Sequence, residues 1–132
     1  MDKPVIDFKE YRISKINYRV VDSSDEFEEY RDKDKIISLN VALNDEKNSA
    51  RLIVSTAVID EKYSRVAEVE ITGYFNINPE VDESSIEQYL VQNGTAILFP
   101  YMRSLVSFIT SLDNENAIII PTINTTGFAE GK

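Results

Sequence analysis

The chain has 132 residues, 42% of them hydrophobic and 28% charged, which is enough for one domain with its own core and too little for two. It contains no Cys and no His, so disulfides, thiolate chemistry, zinc sites built on those ligands and imidazole acid–base catalysis are excluded. A net charge of -9 argues against a nucleic-acid surface and favours basic partners.

The opening run M-D-K-P-V-I-D lacks the apolar core of a signal peptide, and no segment reads as a membrane span of about 20 apolar residues. A soluble, cytoplasmic protein with no direct membrane insertion is expected. Residues 1 to 10 read as an irregular lead-in, with Val5, Ile6 and Phe8 available for docking. Tyr11 to Val21 is rich in β-branched and aromatic residues and reads as the first strand. Its alternation breaks near Lys15, where a bulge is expected.

Asp22 to Lys35 is dominated by acids, with Phe27 and Tyr30 as its apolar side chains, and by composition it is a solvated loop or a helical turn. Three segments of period two follow. Ile36 to Asn44 puts Ile37, Leu39, Val41 and Leu43 on one face, and Ala50 to Ile59 puts Leu52, Val54, Thr56 and Val58 on one face. Arg65 to Ile77 puts Ala67, Val69, Ile71, Gly73 and Phe75 opposite Glu68, Glu70, Thr72 and Tyr74. The turns Asp45 to Ser49 and Asp60 to Ser64 are short, so these strands form an antiparallel meander. With the first strand the sheet has four strands.

Asn78-Pro79 closes the sheet, and Asp82 to Gln92 reads as a short helix. Ser84 and Glu87 would form its capping box, Ile86, Tyr89, Leu90 and Val91 its apolar face, and Asn93-Gly94 its stop. Thr95 to Leu112 has helical spacing, with one stripe through Leu98, Met102, Leu105, Ile109 and Leu112 and a second through Ile97, Tyr101 and Phe108. Pro100 inside a helix costs about 3 kcal/mol, so the regular helix is expected to start near Phe99 and Pro100. A helix apolar over more than half its circumference needs cover on more than one side, whereas one sheet covers one side. An oligomer is therefore expected, with Tyr101, Arg103, Ser104 and Phe108 as candidate interface residues. Arg103, the single charge between Thr95 and Leu112, must be paired or reach solvent, and an acid of the sheet or of a neighbouring subunit is its expected partner. Beyond the helix, Ala117 to Ile123 is an apolar run interrupted by Pro121, expected to pack as an extended segment.

The run Ile97-Leu98-Phe99-Pro100-Tyr101-Met102-Arg103, followed by Ile118 to Asn124, closely resembles the signature of SecB-type export chaperones, in which an L-F-P-Y-x-R helix precedes a segment ending L-x-P-x-N-F. Pro121 and Asn124 match that segment, while Thr125 stands where the family has Phe. The order of strands and turns, including Gly73-Tyr74-Phe75, is similar as well. The resemblance implies a dimer of dimers that holds unfolded polypeptides in apolar grooves without ATP, with the segment after the first strand roofing part of the groove. The ending at Lys132 leaves out the longer C-terminal helix and tail that in this family help engage the export ATPase SecA. The close alternative is therefore a SecB-like chaperone dedicated to one partner, such as an antitoxin. A plain oligomeric interaction protein is the reading from another class.

Tyr suits a half-exposed apolar surface, because the ring is buried while the hydroxyl stays wet. Tyr18, Phe27, Tyr30, Tyr74 and Tyr89 are the candidate client-binding residues. Glu68 and Glu70 read as a solvated sheet face with cross-strand partners such as Arg51. The carboxylates are scattered through turns and strand faces with nothing placing a pair together, so no catalytic residue, metal or cofactor is expected. The expected architecture is α+β, a four-stranded antiparallel sheet packed with one long and one short helix.

Overall fold

The computed structural model describes residues 5–22, 24–34, 36–78 and 80–120. The Pro121 and Asn124 positions of the motif and the turn residue Pro79 lie outside them. Four strands form one antiparallel sheet: β1 (Ile6–Val20), β2 (Ser38–Leu43), β3 (Ser49–Asp60) and β4 (Arg65–Ile77), in the spatial order β1-β4-β3-β2. The meander β2-β3-β4 follows from its short turns, and Lys47 and Ser64 take positive φ (56° and 53°) where those turns reverse the chain. β1 pairs with β4, so the chain leaving β1 must cross the sheet to begin β2 at the opposite edge. That crossover contains α1 (Ser24–Arg31).

β1 begins earlier than the composition of residues 1 to 10 implies. Ile6, Asp7 and Phe8 pair with Ile77, Asn76 and Phe75, so the expected lead-in is strand from Ile6 onward. The pairing supplies what local propensity lacks, because the long β4 offers partners over its full length. The bulge expected near Lys15 is present as a register shift between Ile13 and Lys15, and a second lies between Phe8 and Glu10.

The long helix differs from expectation at its start. α2 (Glu83–Tyr89) runs through a π-helical turn at Leu90–Gly94 directly into α3 (Thr95–Asp113), with no break at Asn93-Gly94. Gly94 has right-handed helical angles (φ -63°, ψ -43°), so it is not a helix stop. Its role is close approach: a Cβ there would lie 2.8 Å from Leu52 Cδ2. Gly73 does the same from the sheet, where a Cβ would lie 2.8 Å from Leu98 Cδ1. The helix also continues through Pro100, which lies on the exposed side together with Ala96, the residue whose carbonyl the proline leaves without a helical donor. Asp82, not Ser84, occupies the N-cap, and it makes no side-chain capping bond. Because the run Ser84–Asp113 is unbroken, it is 30 residues long with a mean hydropathy of 1.3 over its most apolar stretch, long and apolar enough to cross a membrane by length and composition alone. Dividing it at Gly94 hid that property in the sequence.

In the fold this helix lies on one face of the sheet. Leu52, Val54, Ile71 and Phe75 meet Ile86, Leu90, Leu98, Met102 and Val106 in the main core. Full burial of each large aliphatic side chain contributes about 1.5–3 kcal/mol, which makes this layer the main source of stability. α1 lies on the other face. Phe27 and Tyr30 pack on Val21, Ala57 and Val66, and strand alternation points Ala57 away from its core neighbour Val58.

Candidate functional site

α3 buries one side and leaves the other bare. Leu98, Phe99, Met102, Val106 and Thr110 face the sheet, whereas Tyr101, Phe108 and Leu112 are exposed, the last two to 63% and 72%. β1 continues this surface. Tyr11, Ile13, Ile16 and Val20 are also exposed, and their register with Gly73, Ile71, Val69 and Arg65 puts them on the α3 side of the sheet. The bulge between Ile13 and Lys15 makes this row possible, because it shifts the inward positions from 11 and 13 to 16, 18 and 20.

An aromatic series ties the surface to the core. Phe8 packs on buried Phe75 at 5.5 Å between centroids and on Tyr11 at 6.3 Å, and Tyr11 stacks on Tyr101 at 4.3 Å. Beside this stack Tyr11, Ile13, Ile71, Tyr101, Leu105 and Phe108 line a hollow of about 230 Å³. A wider hollow of about 600 Å³ opens on the other flank of α3, between Arg103, Ser104, Ser107 and Phe108 and the segment carrying Ile119 and Ile120. β1 is also an edge strand of 15 residues, so one row of its backbone groups has no partner strand among the described residues. A contiguous apolar face of this kind, next to a free strand edge, is the property of a surface that meets another polypeptide.

Four expected interface residues fall on or beside this face. Tyr101, Ser104 and Phe108 are exposed, and Arg103 is half-buried. Within the chain, Arg103 Nε donates to the Ile120 carbonyl at 2.7 Å. The chain after α3 turns back along the helix, also held where Ile118 N–H donates to Thr110 Oγ1 at 2.8 Å, and it delivers a carbonyl to Arg103 first.

The five expected client residues do not come together. Tyr74 and Tyr89 are exposed, the first on β4 and the second on the outward side of α2, whose Ile86 and Leu90 are buried. Phe27 and Tyr30 are buried beneath α1 instead of lying open over a groove. Tyr18 is occupied internally, its hydroxyl donating to Asp113 Oδ2 at 2.5 Å. Burial, and then that carboxylate, push its phenol above the usual tyrosine range. Glu68 does not meet Arg51, because Arg51 pairs in register with Tyr74. It takes Lys15 at 3.7 Å and Asn17 at 3.1 Å from β1 instead.

Composition gave no sign of Arg65, the buried charge among the described residues at 1% exposed. Its Nε donates to Asp60 Oδ2 at 2.9 Å, and its two terminal nitrogens donate to the carbonyls of Thr110 and Asn116. Burial opposes its charge, but the bonds to Tyr18 and Asp60 outweigh that and raise its pKa. Arg65 therefore pins the C-terminal end of α3, whose last carbonyls need donors, to the start of β4. No group of three or more His, Cys, Asp or Glu residues that could hold a metal ion occurs among the described residues.

With this geometry in hand, comparison with known proteins decides the family. The family model described as preprotein translocase subunit SecB matches residues 13–128. The chain belongs to the SecB family. An uncharacterised protein of Methanocaldococcus jannaschii is 33% identical over 110 residues, covering 75% of this chain and 70% of that protein. Among solved structures, a SecB-like chaperone of Mycobacterium tuberculosis, in complex with a ChAD peptide from an antitoxin, has a TM-score of 0.69 at 13% identity and covers 90% of this chain and 91% of its own. A protein of unknown function from Streptococcus agalactiae has a TM-score of 0.68 at 14% identity over 89% and 97%. At those identities the two structures show a shared fold, a four-stranded antiparallel sheet with a long helix across one face.

Proposed function

We propose that this SecB family member is an ATP-independent holdase, an oligomer that keeps unfolded or pre-secretory polypeptides from aggregating. The observation that carries the reading is the apolar face formed by Tyr11, Ile13, Ile16 and Val20 on β1 with Tyr101, Phe108 and Leu112 on α3. One part of such a face is covered by further copies of the chain, in a dimer or a dimer of dimers, with Tyr101, Ser104 and Phe108 at the contact. The assembly then offers several weak apolar sites to one client, so avidity retains it without a deep pocket or a nucleotide cycle. Exposed Tyr74 and Tyr89 are the client contacts available without rearrangement. The charge of -9 keeps the assembly soluble and draws basic segments. Cytoplasmic placement, client delivery to SecA and a role in export belong to this proposal.

The test is suppression of aggregation of an unrelated unfolded protein at near-stoichiometric ratio without nucleotide. Suppression that disappears in Phe108→Ser together with the oligomer supports the reading; full suppression by a Phe108→Ser monomer removes the assembly from it. A second reading, a chaperone dedicated to one partner, is favoured by the Mycobacterium tuberculosis SecB-like chaperone having been solved with an antitoxin peptide. Its signature is failure on general clients with protection of the product of a neighbouring gene.

A further inference from the structure

Two bulges interrupt the pairing of β1 with β4, and the one between Ile13 and Lys15 serves the apolar face of β1 and α3. The other leaves Lys9 without a partner between Phe8, which pairs with Phe75, and Glu10, which pairs with Tyr74. A bulge re-aims a side chain, and this one has a visible target. Phe8 packs inward on Phe75, while Lys9 lies on the opposite, outer face of the sheet. Ala42 of β2, Arg51 of β3 and Tyr74 of β4 stand in one row across that face. Together with Asn44, Asn76 and Lys9 they line an open hollow of about 350 Å³. It lies at the end of the sheet away from α1.

The charges lining the hollow have one sign. Lys9 and Arg51 are its charged residues, and Arg12, the next outward position of β1 after Glu10, adds a third cation beside them. All three are exposed and make no ion pair among the described residues, in a chain with 23 acids. The acids at this end of β1, Asp7 and Glu10, pair with none of them. Other cations do find acids: Lys15 meets Glu68, Arg19 meets Glu26 and Glu29, and Arg31 meets Glu28 and Glu61. Those pairs all lie toward the α1 end. The outer face is thus divided, with acids gathered near α1 and an exposed Tyr74 among unpaired cations at the far end.

We propose that this hollow docks an acidic segment of a partner polypeptide, which presents a carboxylate to Arg51 and Lys9 and an apolar side chain to the Tyr74 ring. The planar fork of arginine takes a carboxylate in two parallel bonds, and the ring beside it offers a flat apolar surface. A phosphate chain fits poorly, because three cations release few counterions and a molecule of charge -9 repels a polyanion at long range. A short segment with one or two carboxylates is balanced locally. The proposal rests on the polypeptide-binding reading and adds a site, on the other side of the sheet, for the class of segment that the net charge turns away.

Fluorescence anisotropy on the full chain tests it, with labelled unstructured peptides centred on Glu-Phe-Glu, Gln-Phe-Gln or Glu-Ala-Glu. At low salt the first should bind about threefold to tenfold more tightly than the second. That preference should vanish in the double variant Lys9→Gln with Arg51→Gln, and shrink at about 0.5 M salt. Glu10→Gln removes the carboxylate opposite Tyr74 and should tighten the acidic peptide about twofold, a gain that damage to the fold would not produce. Tyr74→Ser should erase the difference between the Phe and Ala peptides. Equal binding of the Glu and Gln peptides, or a preference that survives the double variant, overturns the site and leaves the holdase reading in place. Binding of a labelled oligothymidylate through Lys9 and Arg51, without binding of the acidic peptide, overturns the choice of a polypeptide. Absence of binding by every peptide also overturns the site, and aggregation suppression by the same preparation then decides the holdase reading separately.

Discussion

The two helical regions on opposite faces of the sheet invert the usual relation between composition and burial. α1 is mostly charged, yet Phe27 and Tyr30 are buried; α3 is mostly apolar, yet Tyr101, Phe108 and Leu112 are exposed. The reason is supply of surface. A short helix with two aromatics needs only one small depression, and the sheet provides it at Ala57 and Val66. A helix apolar around more than half its circumference asks for two layers, and among the described residues one sheet lies against it. Exposure of a large apolar side chain thus reports a missing neighbour, which at α3 the proposed assembly would supply.

The largest effect expected is at the buried side of α3. Leu98→Ala empties the contact over Gly73 and should cost about 2–5 kcal/mol in denaturant unfolding, with both helical regions destabilised together. Next is Arg65→Ala, which strips Asp60 and two backbone carbonyls of a donor and should cost about 3 kcal/mol, with Arg65→Lys recovering part of it. If α1 and α3 differ in this way, Phe27→Ala lowers stability by about 3–5 kcal/mol and leaves the oligomer intact. Phe108→Ser should do the reverse, changing monomer stability by less than about 0.5 kcal/mol while dissociating the assembly in sedimentation. Loss of the oligomer in Phe27→Ala, or of stability in Phe108→Ser, would erase the distinction between the two regions.

The smallest effect is alkaline. Tyr18 holds its proton more tightly in the folded chain than when unfolded, so its stabilisation is complete below the ordinary tyrosine pKa of about 10. It is lost as pH rises from there through the raised folded value. Tyr18→Phe should flatten that part of the stability profile, measured by urea midpoints between about pH 9 and pH 11.

Strand alternation, two hairpin turns and the apolar excess of α3 could be read directly, because each is a local pattern whose period states its geometry. β4 has the bounds its alternation implies, Arg65–Ile77. The apolar surface left bare at Tyr101 and Phe108 was readable in the same way. The apolar row of β1 was present too, but a bulge hides alternation from a period-two reading, and Ile16 and Val20 reach the α3 side only through it. Alternation placed Glu68 and Glu70 on the face away from the main core, where they are half-buried and not fully solvated, but it could not choose Lys15 over Arg51, since the choice depends on register across three strands.

The sequence by itself determined the three strands of the meander, their polar and apolar sides, and a helix with more apolar surface than one layer can cover. Tertiary structure alone decided that Gly94 continues a helix, that Phe27 and Tyr30 are covered, and that Arg65 is a buried tie. Each of these depends on what comes to lie within a few ångströms across the fold: Leu52 below Gly94, Ala57 below α1, and the end of α3 above Arg65. A glycine, an aromatic or an arginine carries no local mark of such a neighbour, because long-range packing, and not the adjoining residues, sets whether its surface is covered and its hydrogen bonds are made.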